Sequence, residues 1–230
     1  MNLPNLGQLI QAISIWALPI IFAITLHEAS HGYAALKFGD PTAKEQGRLT
    51  LNPLRHIDPF GTILLPALLL FFSGGRFAFG YAKPVPVNFH RLNKPKRDMV
   101  FVAGAGPATN LVLGLVSVIL VPVALILPDN LRAWAASNLI NSLQINVLLA
   151  VFNMIPLPPL DGGRVAVGLL PRPYDRQLAG LERYGLLILI SLLFFLPMVG
   201  NALGIDLNVI WWVIGPIVDF LIRLFLSIIS

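Results

Sequence analysis

Cysteine is absent from the 230 residues, so the chain has no disulfide and no thiolate ligand, and any metal it holds must sit on His, Asp or Glu. Charge is scarce as well: Asp, Glu, Lys and Arg make up 12% of the sequence, against 56% hydrophobic residues. A soluble domain carries about twice that share of charge, so an ordinary water-soluble fold is excluded. Acidic residues are the scarcer sign, 11 against 16 basic, for a formal net charge of +5. The amino terminus has no basic stretch ahead of its apolar run and no small-residue cleavage pattern after it, and is expected to be retained.

Long uncharged runs fill the chain instead. A spanning helix needs about 20 mainly apolar residues. Residues 9–36, 99–127, 133–160, 184–205 and 207–229 meet that length, the last with Asp219 and Arg223 inside it. Residues 61–72 are apolar but too short to cross, and form a sixth, partial element. Between residues 74 and 98 the sequence GYAKPVPVNFHRL alternates and is punctuated by proline, which predicts extended edge strands dipping into the membrane interface as a hairpin. The expected fold is therefore an all-α polytopic membrane protein, a bundle of five to six transmembrane helices with a small membrane-associated β-hairpin. With no repeat or low-complexity tract, residues 1–230 read as one domain.

The basic residues orient this bundle. Ten of the 16 lie between Lys37 and Arg97 and four between Arg164 and Arg183, while Arg132 is alone on the opposite side. Short cytoplasmic loops carry such an excess, so the first span ends at the cytoplasm. Topology and anionic headgroups account for the basic patches, leaving nothing for a nucleic-acid partner to explain.

The first span contains HEASH. His27 and His31 are four apart and share one helix face, where two imidazoles can bind one zinc with Glu28 beside them to move protons. Buried ionisable groups in an apolar span are costly and mark function. A catalytic zinc commonly has three protein ligands and an open position, so one ligand is missing. Asp161, in FNMIPLPPLDGGR, is the candidate: Pro156, Pro158 and Pro159 break the preceding helix, and Gly162 and Gly163 permit unusual backbone angles. Asp161 could equally cap the helix that follows. Asn153 could glue helices together, or hydrogen-bond a substrate backbone or the developing oxyanion.

Together HEASH, NPLRHIDPFGT and FNMIPLPPLDGGR resemble the site-2 protease family of intramembrane zinc metalloproteases, whose later signature NxxPxxxxDG reads here as Asn153, Pro156, Asp161 and Gly162. The resemblance covers about residues 5–175, with helices in 184–230 added to that core. It implies one Zn2+ per chain on His27, His31 and Asp161, Glu28 as catalytic base, and Asn153 at the substrate. It also implies a transmembrane protein as substrate, regulated intramembrane proteolysis as the task, a prokaryotic cell membrane as the location, and an active site towards the cytoplasm. The chain reads as a minimal member without PDZ or nucleotide-sensing domain. GYAKPVPVNF is similar to the family's substrate-presenting hairpin, and GAGPATN, residues 104–110, reads as a close helix-packing segment. His56 and Asp58 are expected to be structural, His90 a solvated interface residue, and Asp219 with Arg223 an ion pair. Two other functions compete: a metal transporter, which has no use for a dedicated base beside its first ligand, and a catalytically silent scaffold, which would be missing a ligand or the base.

Overall fold

The computed structural model describes residues 6–72, 80 and 82–229. Its helices are α1 (Leu6–Lys37), α2 (Thr42–Glu45), α3 (Leu65–Phe72), α4 (Pro95–Leu125), α5 (Asp129–Asn153), α6 (Asp161–Leu169), α7 (Tyr174–Gly180), α8 (Glu182–Ile190), α9 (Leu196–Leu203) and α10 (Val209–Leu226). A π-helical turn, Ser191–Phe195, joins α8 to α9. Five helical stretches are long and apolar enough to cross a membrane: Ile13–Lys37, α4, α5, Glu182–Leu203 and α10. These match the five runs read from the sequence. Large apolar side chains such as Phe22, Val112, Ile119, Leu187, Val213 and Phe220 point outward, a pattern intolerable in water and natural against lipid.

The boundaries shift where chemistry overrides hydropathy. α4 begins four residues before its apolar run, with Pro95 in its first turn, where a missing N–H costs nothing. α5 ends at Asn153 although the uncharged run continues to Leu160, because Pro156, Pro158 and Pro159 cannot extend a helix. The partial element 61–72 is a π-helical turn, Pro59–Leu64, leading into α3. Asp58 caps that turn, accepting from the N–H groups of Phe60 and Gly61.

Two expectations are corrected. Among the described residues there is no strand, so the β-hairpin over 74–98 is not seen; residues 73–79 and 81 lie outside the described residues. Residues 82–88 have no regular secondary structure and pair with no second strand. Pro84 and Pro86 explain this, since neither has an N–H to give a ladder. Asp219 and Arg223 are both exposed on α10, and no salt bridge joins them. Arg223 is in the last turn of α10, where a long cationic side chain reaches the interface without a carboxylate partner.

α4 is the hub, packing against α1, α5 and α6. Val118, Leu143, Val147 and Val218 knit α4, α5 and α10, and Ala35, Leu92 and Val102 seal α1 against α4 nearer the α1 carboxyl end. Below them the Lys96 ammonium bonds the Leu170 carbonyl and, at 2.9 Å, Asp175 Oδ2. This clamp ties the end of α6 and the start of α7 to the first turn of α4. Lys96 holds the Asp175 carboxyl below the ordinary carboxylate range. A group with a depressed folded pKa stabilises above its unfolded pKa, about 3.9 for Asp, and that contribution disappears as pH falls through the folded value. Asp175→Asn is therefore expected to lower the thermal midpoint at pH 7 and to converge on wild type as pH falls through the lowered folded value, as measured by circular dichroism in detergent.

Candidate metal centre

Within α1, His27 and His31 stand one turn apart, and both are buried, at 7% and 8% exposure. His31 is six residues from the helix end, about 9 Å along the axis, so the pair is inside the apolar span and not at its rim. Their Nε2 atoms are 3.1 Å apart. Asp161 Oδ2 lies 3.2 Å from His27 Nε2 and 3.3 Å from His31 Nε2. The fold thus joins residues 134 positions apart in sequence, as the topology requires.

The loop after α5 delivers Asp161. Asp161 is the first residue of α6, whose cap position is Leu160, and no side chain caps the helix. The alternative of Asp161 as a capping residue is thereby resolved: its carboxylate faces the histidines. Gly162 and Gly163 are helical and do not use the left-handed region, so the expectation of unusual backbone angles is corrected. Their role is close approach. A Cβ on Gly162 would come within 2.5 Å of the Ile155 carbonyl oxygen, and one on Gly163 within 2.5 Å of the Leu157 carbonyl carbon.

The proton positions follow from the outer partners. His31 Nδ1 is 2.7 Å from the Val102 carbonyl, which only accepts, so Nδ1 donates and the neutral ring presents a lone pair at Nε2. His27 Nδ1 is 2.5 Å from Asn110 Oδ1. Three electron-pair donors therefore converge within 3.3 Å of one another, and Asp161 Oδ2 is buried without a hydrogen-bond partner. A proton on one Nε2 would relieve a single contact. A cation relieves all of them. Zinc with Zn–N and Zn–O bonds of about 2.0–2.1 Å in tetrahedral geometry sets its ligand atoms about 3.3–3.4 Å apart, and the three observed edges fit. His27, His31 and Asp161 could hold one metal ion, with a fourth position open.

Glu28 is outside this triad. Its Oε2 accepts the Val85 N–H at 2.8 Å, in the irregular segment 82–88. Asn153 is not brought into the triad either: its Nδ2 donates to the Leu149 carbonyl of its own helix at 2.9 Å. His56 is buried at 2% exposure, bonding the Thr50 carbonyl through Nε2 while its own carbonyl accepts from Lys83 N–H, a structural tie for the same segment. His90 is exposed.

Gly106 was read only as a packing residue, and the structure gives it a sharper role. A Cβ there would lie 2.6 Å from His27 Nε2 and 2.5 Å from His27 Cε1, in the space where the ion would sit. The sequence signal was available in GAGPATN, but a small residue on a helix face reads as packing until the facing atoms are known.

A family model described as peptidase family M50 matches residues 122–196, from the end of α4 through the Asp161 loop to the π turn after α8. "Putative zinc metalloprotease YwhC" of Bacillus subtilis (strain 168) is 36% identical over 213 residues, covering 91% of this chain and 90% of that protein. "Putative zinc metalloprotease Rip2" of Mycolicibacterium smegmatis is 33% identical over 194 residues, 83% of this chain and 69% of that protein. "Putative zinc metalloprotease MJ0611" of Methanocaldococcus jannaschii is 37% identical over 87 residues, 38% of this chain and 41% of that protein. No solved structure matches. Gly106→Ala is expected to abolish stoichiometric zinc binding by purified protein, measured by elemental analysis, with an overpacking cost of about 1–3 kcal/mol that leaves the helical spectrum intact.

Proposed function

The chain belongs to peptidase family M50, a family of metalloproteases, and on that premise we propose that it is a zinc-dependent intramembrane endopeptidase acting on transmembrane protein substrates in regulated proteolysis. The carrying observation is the convergence of His27 Nε2, His31 Nε2 and an otherwise unpartnered Asp161 Oδ2, with Glu28 excluded from the triad and adjacent to it in sequence. His27, His31 and Asp161 would hold the zinc, which when bound supplies Lewis acidity to polarise the scissile carbonyl and to acidify water.

Glu28 is the general base. Its carboxylate accepts a proton from the attacking water as the oxygen bonds to the carbonyl carbon, and returns that proton to the leaving amine as the C–N bond breaks. The Val85 N–H holds one carboxylate oxygen in place and leaves the second for the water. Asn153 spends one amide hydrogen on Leu149, and its remaining capacity would hold a substrate backbone.

Basic residues cluster on the side where α1 ends, which supports an active site opening towards the cytoplasm of a prokaryotic cell and the bundle acting as one unit. A transport reading leaves Glu28 without a task, and a silent scaffold leaves the complete donor set unexplained.

Purified protein in detergent is expected to bind one zinc and to cut a fluorescently tagged transmembrane peptide. Glu28→Gln should keep the metal and lose about 10²–10⁴-fold in rate, and Asp161→Ala should lose the metal. Glu28→Gln cutting at the wild-type rate, or wild type binding no zinc, would sink the mechanism.

A further inference from the structure

Neutral imidazole carries one ring proton, and a histidine bonds a metal only through the nitrogen that lacks it. His31 has its tautomer chosen by a backbone carbonyl. His27 has no such partner: its Nδ1 meets a side-chain amide, Asn110, which is fully buried at 0% exposure. An amide can face either way, so something must decide which end faces the ring.

The decision is made by a chain of polar groups through the bundle. Asn110 Nδ2 donates to the Ala23 carbonyl at 3.3 Å and to Asn146 Oδ1 at 2.7 Å. Asn146, 1% exposed, is fixed in turn because its Nδ2 donates to the Ser142 carbonyl at 2.8 Å and meets Ser142 Oγ at 3.2 Å. Reversing Asn110 would set its oxygen against two acceptors, Ala23 O and Asn146 Oδ1, inside an apolar bundle where an unmatched polar group is costly. Oδ1 must therefore face His27, and Nδ1 must be the donor. The Nε2 lone pair is left pointing at His31 and Asp161.

We propose that Asn110, held in orientation by Asn146, is a positioning residue that fixes His27 as its Nδ1–H tautomer and so prepares Nε2 for the metal. Gly106 and Asn110 are one turn apart on the same face of α4: the first leaves room for the ion and the second sets the ring beside it. This inference rests on the zinc reading of the centre, yet the tautomer is a property of the metal-free protein and is decided separately.

The test uses the full chain in detergent, stripped of metal, at about pH 8, where an unperturbed imidazole is neutral. With ¹⁵N-labelled histidine, and the His27 signals assigned by comparison with His27→Gln, wild type is expected to carry its His27 proton on Nδ1. Asn110→Ala should show a mixture of both tautomers and bind zinc about 10–100-fold more weakly in chelator competition. Asn110→Asp, whose carboxylate again accepts from Nδ1, should recover affinity relative to Asn110→Ala. A lost packing contact would move the thermal midpoint of the metal-free protein without moving the tautomer. A His27 proton on Nε2 in wild type overturns the proposal even if Asn110→Ala does not fold, as does an Asn110→Ala protein with wild-type tautomer and zinc affinity. Wild type that binds no zinc but carries the Nδ1 proton refutes the metal reading and leaves the role of Asn110 in place.

Discussion

Three atoms with lone pairs, two imidazole nitrogens and a carboxylate oxygen, are held 3.1 to 3.3 Å apart inside a helical bundle of low polarity. In water such a cluster would scatter or take up protons. Here the two Nδ1 positions already hold the ring protons, committed to Val102 and Asn110, and burial removes the solvent that would otherwise fill the gaps. A cation would satisfy all three donors at once, and the packing near them can be understood as the means of keeping the three atoms together.

That demand explains why α4 is the hub. It supplies the Val102 carbonyl for one histidine, Asn110 for the other, and at Gly106 the vacancy between them. α5 contributes Asn146, which keeps Asn110 facing the right way, and then stops so that the chain can turn. The prolines after Asn153 end α5 without a long loop, and the close approach of Gly162 and Gly163 to that loop places Asp161 at the depth of the histidines. The Lys96 clamp to Leu170 and Asp175 anchors the far end of α6 to the same hub. A ligand carried on a nine-residue helix is thus fixed at both ends.

How much of this was legible in the sequence depended on whether the signal was local. The spacing of His27, Glu28 and His31 is a helix property, and the five spans are a property of composition, so both could be read directly. Asp161 was ambiguous because helix capping and metal ligation both favour an aspartate before glycines; only the distance to the histidines separates them. Asn110 and Gly106 were hidden because a small or amide residue in an apolar helix signals packing equally well. Their roles come from atoms on α1 that no spacing within α4 reveals. The hairpin expectation failed for a different reason: alternation predicts edge strands, but pairing needs N–H groups that Pro84 and Pro86 cannot supply.

That same shortage of donors gives the segment a different use. In the run Pro84-Val85-Pro86 only Val85 has a backbone N–H, and it is spent on the Glu28 carboxylate. The neighbouring anchors fix its height: Lys83 N–H to the His56 carbonyl, Arg48 to the carbonyls of Lys83 and Pro84, and Asn88 N–H to Asp40 Oδ2. His56, Arg48 and Asp40 belong to the stretch between α1 and α3, so Glu28 is oriented by the loop that follows its own helix, through residues 83–88. His27 and His31 are oriented from α4 and Glu28 from this segment, and the two supports share no hydrogen bond among the described contacts. Glu28 can therefore be aimed independently of the three converging donor atoms, the separation of tasks that the proposed base and Lewis acid acting on one water would require.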